Sequence, residues 1–153
     1  MNLAFGVLSS REPPATVGQL LDAIGPFARV WVHHDPTKGP PPSSRRDDVT
    51  FVPHPVATAW GDWSLCEAIL ALLREALRDP GWDHFQLLSG SCLPIRPLDA
   101  FAAHVARSGV DLHMDAVALG RDEVALMSHG FKAYAPTGSP QHRVLRRMRR
   151  WYP

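Results

Sequence analysis

A chain of 153 residues, 45% hydrophobic and 20% charged, is one domain's worth of sequence with enough apolar side chains to bury a core. Its net charge of +1 argues against a general polyanion binder, and no segment approaches the ~20 consecutive apolar residues that a membrane-spanning helix needs. Two cysteines, Cys66 and Cys92, supply no disulfide framework and suit a reducing compartment.

The N-terminus, MNLAFGVLSS, lacks a basic leader and runs directly into an apolar stretch, so no signal peptide is expected and the chain reads as cytoplasmic. Residues 3–8 form a short buried strand that ends at Ser9 and Ser10. Thr16 and Gln19 have the spacing of a capping box, and Val17, Leu20, Leu21 and Ile24 follow at helical spacing until Gly25-Pro26 stops the helix. ARVWVHHD is a second strand, with Val30 and Val32 on one face. PTKGPPPSSRRDD is a loop by composition, and VTFVP is a third strand stopped by Pro53.

The next helix is the most fully specified element. Ser64 is expected to cap it, with Glu67 three residues on, and Leu65, Ile69, Leu72, Leu73 and Ala76 are expected to form its apolar stripe. Asp79-Pro80-Gly81 breaks it, HFQLL is a strand, and Pro97 starts a helix that runs through Phe101, His104 and Val105 to Gly109. VDLHMDAVAL is a further strand candidate. Strands alternating with helices predict an α/β fold with a largely parallel sheet. In such sheets ligands bind outside the carboxyl ends of the strands. Three strand ends carry small or polar residues: Ser9-Ser10, His33-His34-Asp35 and Ser89-Gly90-Ser91. Parallel strands would bring all three to one edge.

WGDWSLCEAILALLREAL followed by WDHFQLLSGSCLPIRPLDAF resembles the core-2/I-branching family of glycosyltransferases, which includes β1,6-N-acetylglucosaminyltransferases and peptide O-xylosyltransferases. AFGVLSS and VWVHHD sit where that family has its first strand and its His-x-Asp strand end. The likeness spans roughly residues 3–120, with several motifs in matching order and spacing. It implies a GT-A-like nucleotide-sugar fold and inverting transfer of GlcNAc or xylose from a UDP donor to a hydroxyl acceptor, with no metal and no cofactor besides the donor substrate. The chain contains no Asp-x-Asp pair to hold a divalent ion against a diphosphate.

By that resemblance the donor-binding residues are Leu8, Ser9, Ser10, His34, Asp35, Trp60, Ser89, Gly90 and Ser91, with Asp35 accepting from the uracil or ribose. Asp115 aligns with a carboxylate that contacts the acceptor sugar. Ala57 stands where some members place a tyrosine beside the uridine. Cys92 stands where the family usually has aspartate, and a thiol cannot replace a carboxylate that orients hydroxyls. No residue matches the family's catalytic base, which lies on a later helix. The expected organisation is therefore a donor-binding half over 1–120 and a connector with an Arg-rich segment over 121–153, a truncated form of the fold.

Simpler roles compete with several of these assignments. His33 and His34 are adjacent strand residues facing opposite sides, so hydrogen bonding suits them better than metal binding. Ser89 lacks the Gly-x-Ser-x-Gly frame of a nucleophile and is better placed in a loop that lets backbone approach a ligand. Trp31, Trp60, Trp63 and Trp82 are expected mainly as packing. The segment HRVLRRMRRWYP could meet an anionic membrane surface or nucleic acid, but near-neutral overall charge disfavours nucleic acid, and a solvated helix or connector is preferred. Two alternatives to an active transferase stand beside it: a silent nucleotide-sugar-binding module, and an interaction fragment that docks peripherally on a membrane or partner through its arginines. An uncovered sheet edge would also favour self-association.

Overall fold

Among the residues described in this computed structural model (1–25, 28–59 and 61–111), four strands and three helices follow one another. They are β1 (Leu3–Ser9), α1 (Pro14–Ile24), β2 (Ala28–His34), β3 (Val49–Phe51), α2 (Ser64–Ala76), β4 (His84–Ser89) and α3 (Leu98–Ser108). Met1–Gly109 forms one compact unit. The strands pair in the order β3-β2-β1-β4 and every pair is parallel, which is the α/β architecture expected from the alternation. The boundary expected at residue 120, most of the strand candidate over 110–119 and the Arg-rich segment lie outside the described residues.

β1 and β2 lie inside the sheet and are covered on both faces, so they read as continuous apolar runs rather than alternating ones. Leu3, Phe5 and Val7 join Val30 and Val32 against Val17, Leu20, Leu21 and Ile24 of α1, with Phe101 and Ala102 of α3 packed on the same cluster. Ala4 and Trp31 face the other way, onto Leu72 and Ala76 of α2. The sheet is thus sandwiched between α1 and α3 on one face and α2 on the other. Leu20, Leu21 and Ile24 are fully buried, each contributing about 1.5–3 kcal/mol from apolar surface removed from water.

The starts of α1 and α2 differ from the sequence expectation. α1 begins at Pro14, whose fixed φ and missing N–H suit a first helical position, and Thr16 lies inside the first turn with its N–H donating to Pro13 O at 2.8 Å. No side chain caps it, so the Thr16–Gln19 box does not form. In α2, Ser64 is the first helical residue rather than the cap. Its Oγ accepts the Ala59 N–H at 3.0 Å, while Asp62 Oδ1 accepts the Ser64 N–H at 2.9 Å.

The buried stripe of α2 is also rotated from the expected one. It runs Ser64, Ala68, Leu72, Ala76, and Leu65 is exposed. Small side chains at three of those four positions let the helix approach the sheet closely where Trp31 fills the interface. Trp82 donates from Nε1 to Ala76 O at 3.0 Å and packs on Phe85, which closes the C-terminal end of α2. Gly25, with φ +57°, ends α1 as expected and donates its N–H to Leu21 O. Arg46 fastens the long loop to that end, donating to Leu21 O and Ala28 O at 2.8 and 3.2 Å while pairing with Asp48.

Candidate functional site at the strand ends

The chain moves outward from β1 through β2 to β3 and then returns to the opposite side of β1 as β4. That reversal places a crevice at the carboxyl ends of β1 and β4. Ser9 stands opposite His34 in one ladder and Leu8 opposite Ser89 in the other, so the three polar strand ends sit side by side. Trp60 and Asp115 lie outside the described residues.

Both histidines of β2 are hydrogen-bonded within the protein. His33 Nε2 accepts the Val56 N–H at 2.9 Å. His34 is 3.0 Å from Gly39 O through Nε2 and 3.1 Å from Ser9 Oγ through Nδ1. A carbonyl only accepts, so Nε2 carries a proton, and in the neutral ring Nδ1 accepts from the Ser9 hydroxyl. Ser9 and His34 are buried, at 3% and 7% exposure, and form the floor of the edge rather than its open face.

Asp35 departs furthest from its expected part. Its side chain is 1% exposed. Oδ1 accepts the Thr37 N–H and hydroxyl at 2.8 and 2.7 Å, and Oδ2 accepts the Thr58 N–H and hydroxyl at 2.8 and 2.6 Å. Burial alone would raise its pKa, but these four hydrogen bonds outweigh it and hold the carboxyl well below the usual range. A carboxylate with four donors already in place and no exposure is not open to a uracil or ribose. It instead ties two loops to the end of β2. Lys38 Nζ, 4.0 Å from Oδ2, brings a cation to the same corner.

Beyond β4 the chain turns sharply. Gly90 donates its N–H to Leu8 O at 2.7 Å and Cys92 to Ser89 O at 3.0 Å. The Ser89 hydroxyl meets Ser91 Oγ at 2.9 Å and Cys92 Sγ at 3.3 Å, and both serines are exposed. Gly90 is buried, and a Cβ there would stand 3.1 Å from the Glu12 carboxyl carbon and 3.2 Å from Val17 Cγ2, so its missing side chain serves packing. Glu12 Oε2 accepts the Ser10 N–H at 2.6 Å, so this carboxylate lies between the end of β1 and the turn after β4.

Thr37, Lys38, Thr58 and Glu12 did not emerge from the sequence reading. One of them had a local signal, since Asp35-Pro36-Thr37 has the spacing at which an aspartate accepts from its own backbone two residues on. Thr58 and Glu12 meet the strand ends through contacts that only the folded chain creates. Among the described residues no group of three metal-ligating side chains comes together, and no helix is long and apolar enough to cross a membrane.

A cavity of about 590 Å³ opens on the α1–α3 face, lined by residues that include Phe5, Leu20, Leu88 and Phe101, and it reaches Cys92 at the β4 turn. It is distinct from the hydrogen-bonded corner at the end of β2.

Compared with known families, the chain matches the family described as Branch: Core-2/I-Branching enzyme over residues 29–124, a stretch that contains all but the first residue of β2, every element from β3 through α3 and both loops held by Asp35. No curated protein matches the chain.

Proposed function

The chain belongs to the core-2/I-branching enzymes, a family of glycosyltransferases that use a nucleotide-sugar donor and a glycan acceptor, and from that premise we propose that its strand ends bind a UDP-sugar for inverting, metal-independent transfer to a hydroxyl. The observation that carries this reading is the Asp35 clamp, which ties Thr37 and Thr58 to the end of β2 beside Ser9, at the edge where α/β sheets take their ligands.

In this reading Leu8, Ser9 and Ser10 provide the floor and backbone for the nucleoside, and His34 orients the Ser9 hydroxyl from below. Ser89 and Ser91 present hydroxyls to the sugar, and the buried Gly90 between them holds their turn to Leu8. Lys38, whose side chain is partly exposed beside the clamp, offers a cation to the diphosphate and helps hold the charge that develops on the leaving group. Asp35 acts behind this layer as a positioning residue. GlcNAc and xylose are the transferred sugars that the sequence likeness favours. The absence of an Asp-x-Asp pair from the sequence supports transfer without a divalent ion. Residues 1–120 serve as the donor-binding part and 121–153 as a connector.

Calorimetric titration of UDP, UDP-GlcNAc and UDP-xylose, each with and without EDTA, tests the proposal. Binding of uridine diphosphates over adenosine diphosphate, unchanged by chelation, is the expected result. Affinity that disappears with EDTA would overturn the metal-independent part, and equal affinity for ADP would overturn the uridine assignment.

A further inference from the structure

The cavity on the α1–α3 face has a composition of its own. Phe5, Leu20 and Ile24 form an apolar floor that is almost fully buried. One wall is the segment after the β4 turn, where Leu93 is 52% and Ile95 95% exposed. Large aliphatic side chains held this open beside a cavity mark a surface that meets an apolar partner. Among the described residues of the lining the charged side chains are Arg96 and Arg107, with no carboxylate. Neither guanidinium is in an ion pair among the described residues. At about 590 Å³ the space falls within the range of small-molecule sites.

An apolar trough whose described rim carries two guanidiniums and no carboxylate matches one kind of ligand, a hydrocarbon chain with an anionic end. Its position adds a connection to the strand ends. Cys92 lines the cavity and also contacts Ser89 within the turn that presents the proposed sugar-binding hydroxyls. We propose that the groove holds the aliphatic part of an amphiphilic anionic acceptor, a lipid-type phosphate or carboxylate, and so leads its hydroxyl-bearing end to the donor at the β4 turn. The link to transfer rests on the glycosyltransferase reading above; the groove's selectivity for anionic amphiphiles does not.

The test is calorimetric titration with decyl phosphate kept monomeric, against decanol, inorganic phosphate and decyltrimethylammonium. The groove predicts saturable one-site binding of decyl phosphate, with inorganic phosphate and the cationic amphiphile at least about tenfold weaker. Ala100 lines the cavity from an exposed position on α3, so Ala100→Trp fills the groove without disturbing the core and should abolish decyl phosphate binding. Arg96→Ala with Arg107→Ala should weaken decyl phosphate about tenfold and leave decanol unchanged. Equal binding of the cationic amphiphile, or binding that survives Ala100→Trp, would overturn the proposal. So would co-sedimentation with anionic vesicles that Ala100→Trp leaves intact while monomeric decyl phosphate fails to bind, because surface attraction would then explain the association. UDP titrated in parallel separates the two readings. Loss of UDP binding alone sinks the transfer reading and leaves the groove, and loss of decyl phosphate binding alone does the reverse.

Discussion

The carboxylate of Asp35 receives both the N–H and the hydroxyl of Thr58, at 2.8 and 2.6 Å, across a separation of 23 residues. With the matching pair from Thr37, this contact holds the loops on either side of β3 to one point at the end of β2. The geometry of the candidate site therefore depends on a residue that a ligand would not touch.

Replacing Asp35 with Asn keeps the shape but turns one oxygen into a donor that faces two donors. The protein should lose about 2–4 kcal/mol of stability, the cost of breaking a buried charge-assisted network. Denaturant unfolding measures this. Thr58→Val, which removes only the hydroxyl, should cost about 1–2 kcal/mol, and UDP affinity should fall in both variants. A fully stable Asp35→Asn protein would show the clamp to be unimportant.

Stability should fall with acid in two windows. Burial pushes the His33 imidazole below its ordinary value of 6.5. The folded protein therefore resists protonating it, and stability is full above about pH 6.5 and declines as pH falls below it. The Asp35 carboxyl is held below its ordinary value of 3.8, so its contribution is present above about pH 4 and is lost at more acidic pH. Unfolding free energy measured from pH 8 to pH 3 should show both declines. His33→Gln should remove the first and retain the second.

Gly6, in the middle of β1, leaves the space that the Phe85 ring of β4 occupies, and a Cβ there would collide with the ring. Gly6→Ala should cost about 1–3 kcal/mol through overpacking. Phe85→Leu in the same chain should recover part of that loss, which identifies the ring as the cause. Equal destabilisation with and without Phe85→Leu would point instead to the strand backbone.

Much of this arrangement was legible in the sequence, for reasons that differ by element. The runs LAFGVLS and ARVWVHH announce interior strands because both faces are covered, and the Asp-Pro-Gly break after α2 is local chemistry. The helix starts were misread because Ser64–Glu67 and Thr16–Gln19 satisfy a local spacing rule that tertiary contacts override: Ser64 Oγ is used by Ala59, and Pro14 sets the start of α1. The rotated stripe of α2 follows the same logic, since the face packed on Trp31 carries Leu72 and the small Ala76, while Leu65 stays exposed. The strand ends could be found from topology. The saturation of Asp35 could not, because Thr58 reaches it through the intervening β3.

Ala57 is exposed between Val56, which binds His33, and Thr58, which binds Asp35. The likeness to enzymes with a tyrosine there suggests a gain-of-binding test. Ala57→Tyr should raise UDP affinity roughly fivefold or more, since stacking of a base on an aromatic ring contributes about 1–3 kcal/mol. Inorganic diphosphate should bind no better, because the added ring meets the base. An unchanged UDP affinity would move the uracil away from this loop.

The measurement that bears most directly on the central claim is residue-level mapping of UDP by amide chemical shifts on the labelled full chain. A donor site at the strand ends predicts shifts concentrated at Ser9, Ser10, Lys38, Thr58 and Ser89 through Ser91, saturating together with one dissociation constant. Shifts confined to the arginines over 143–150, growing without saturation and vanishing with added salt, would show simple charge attraction and contradict the assignment.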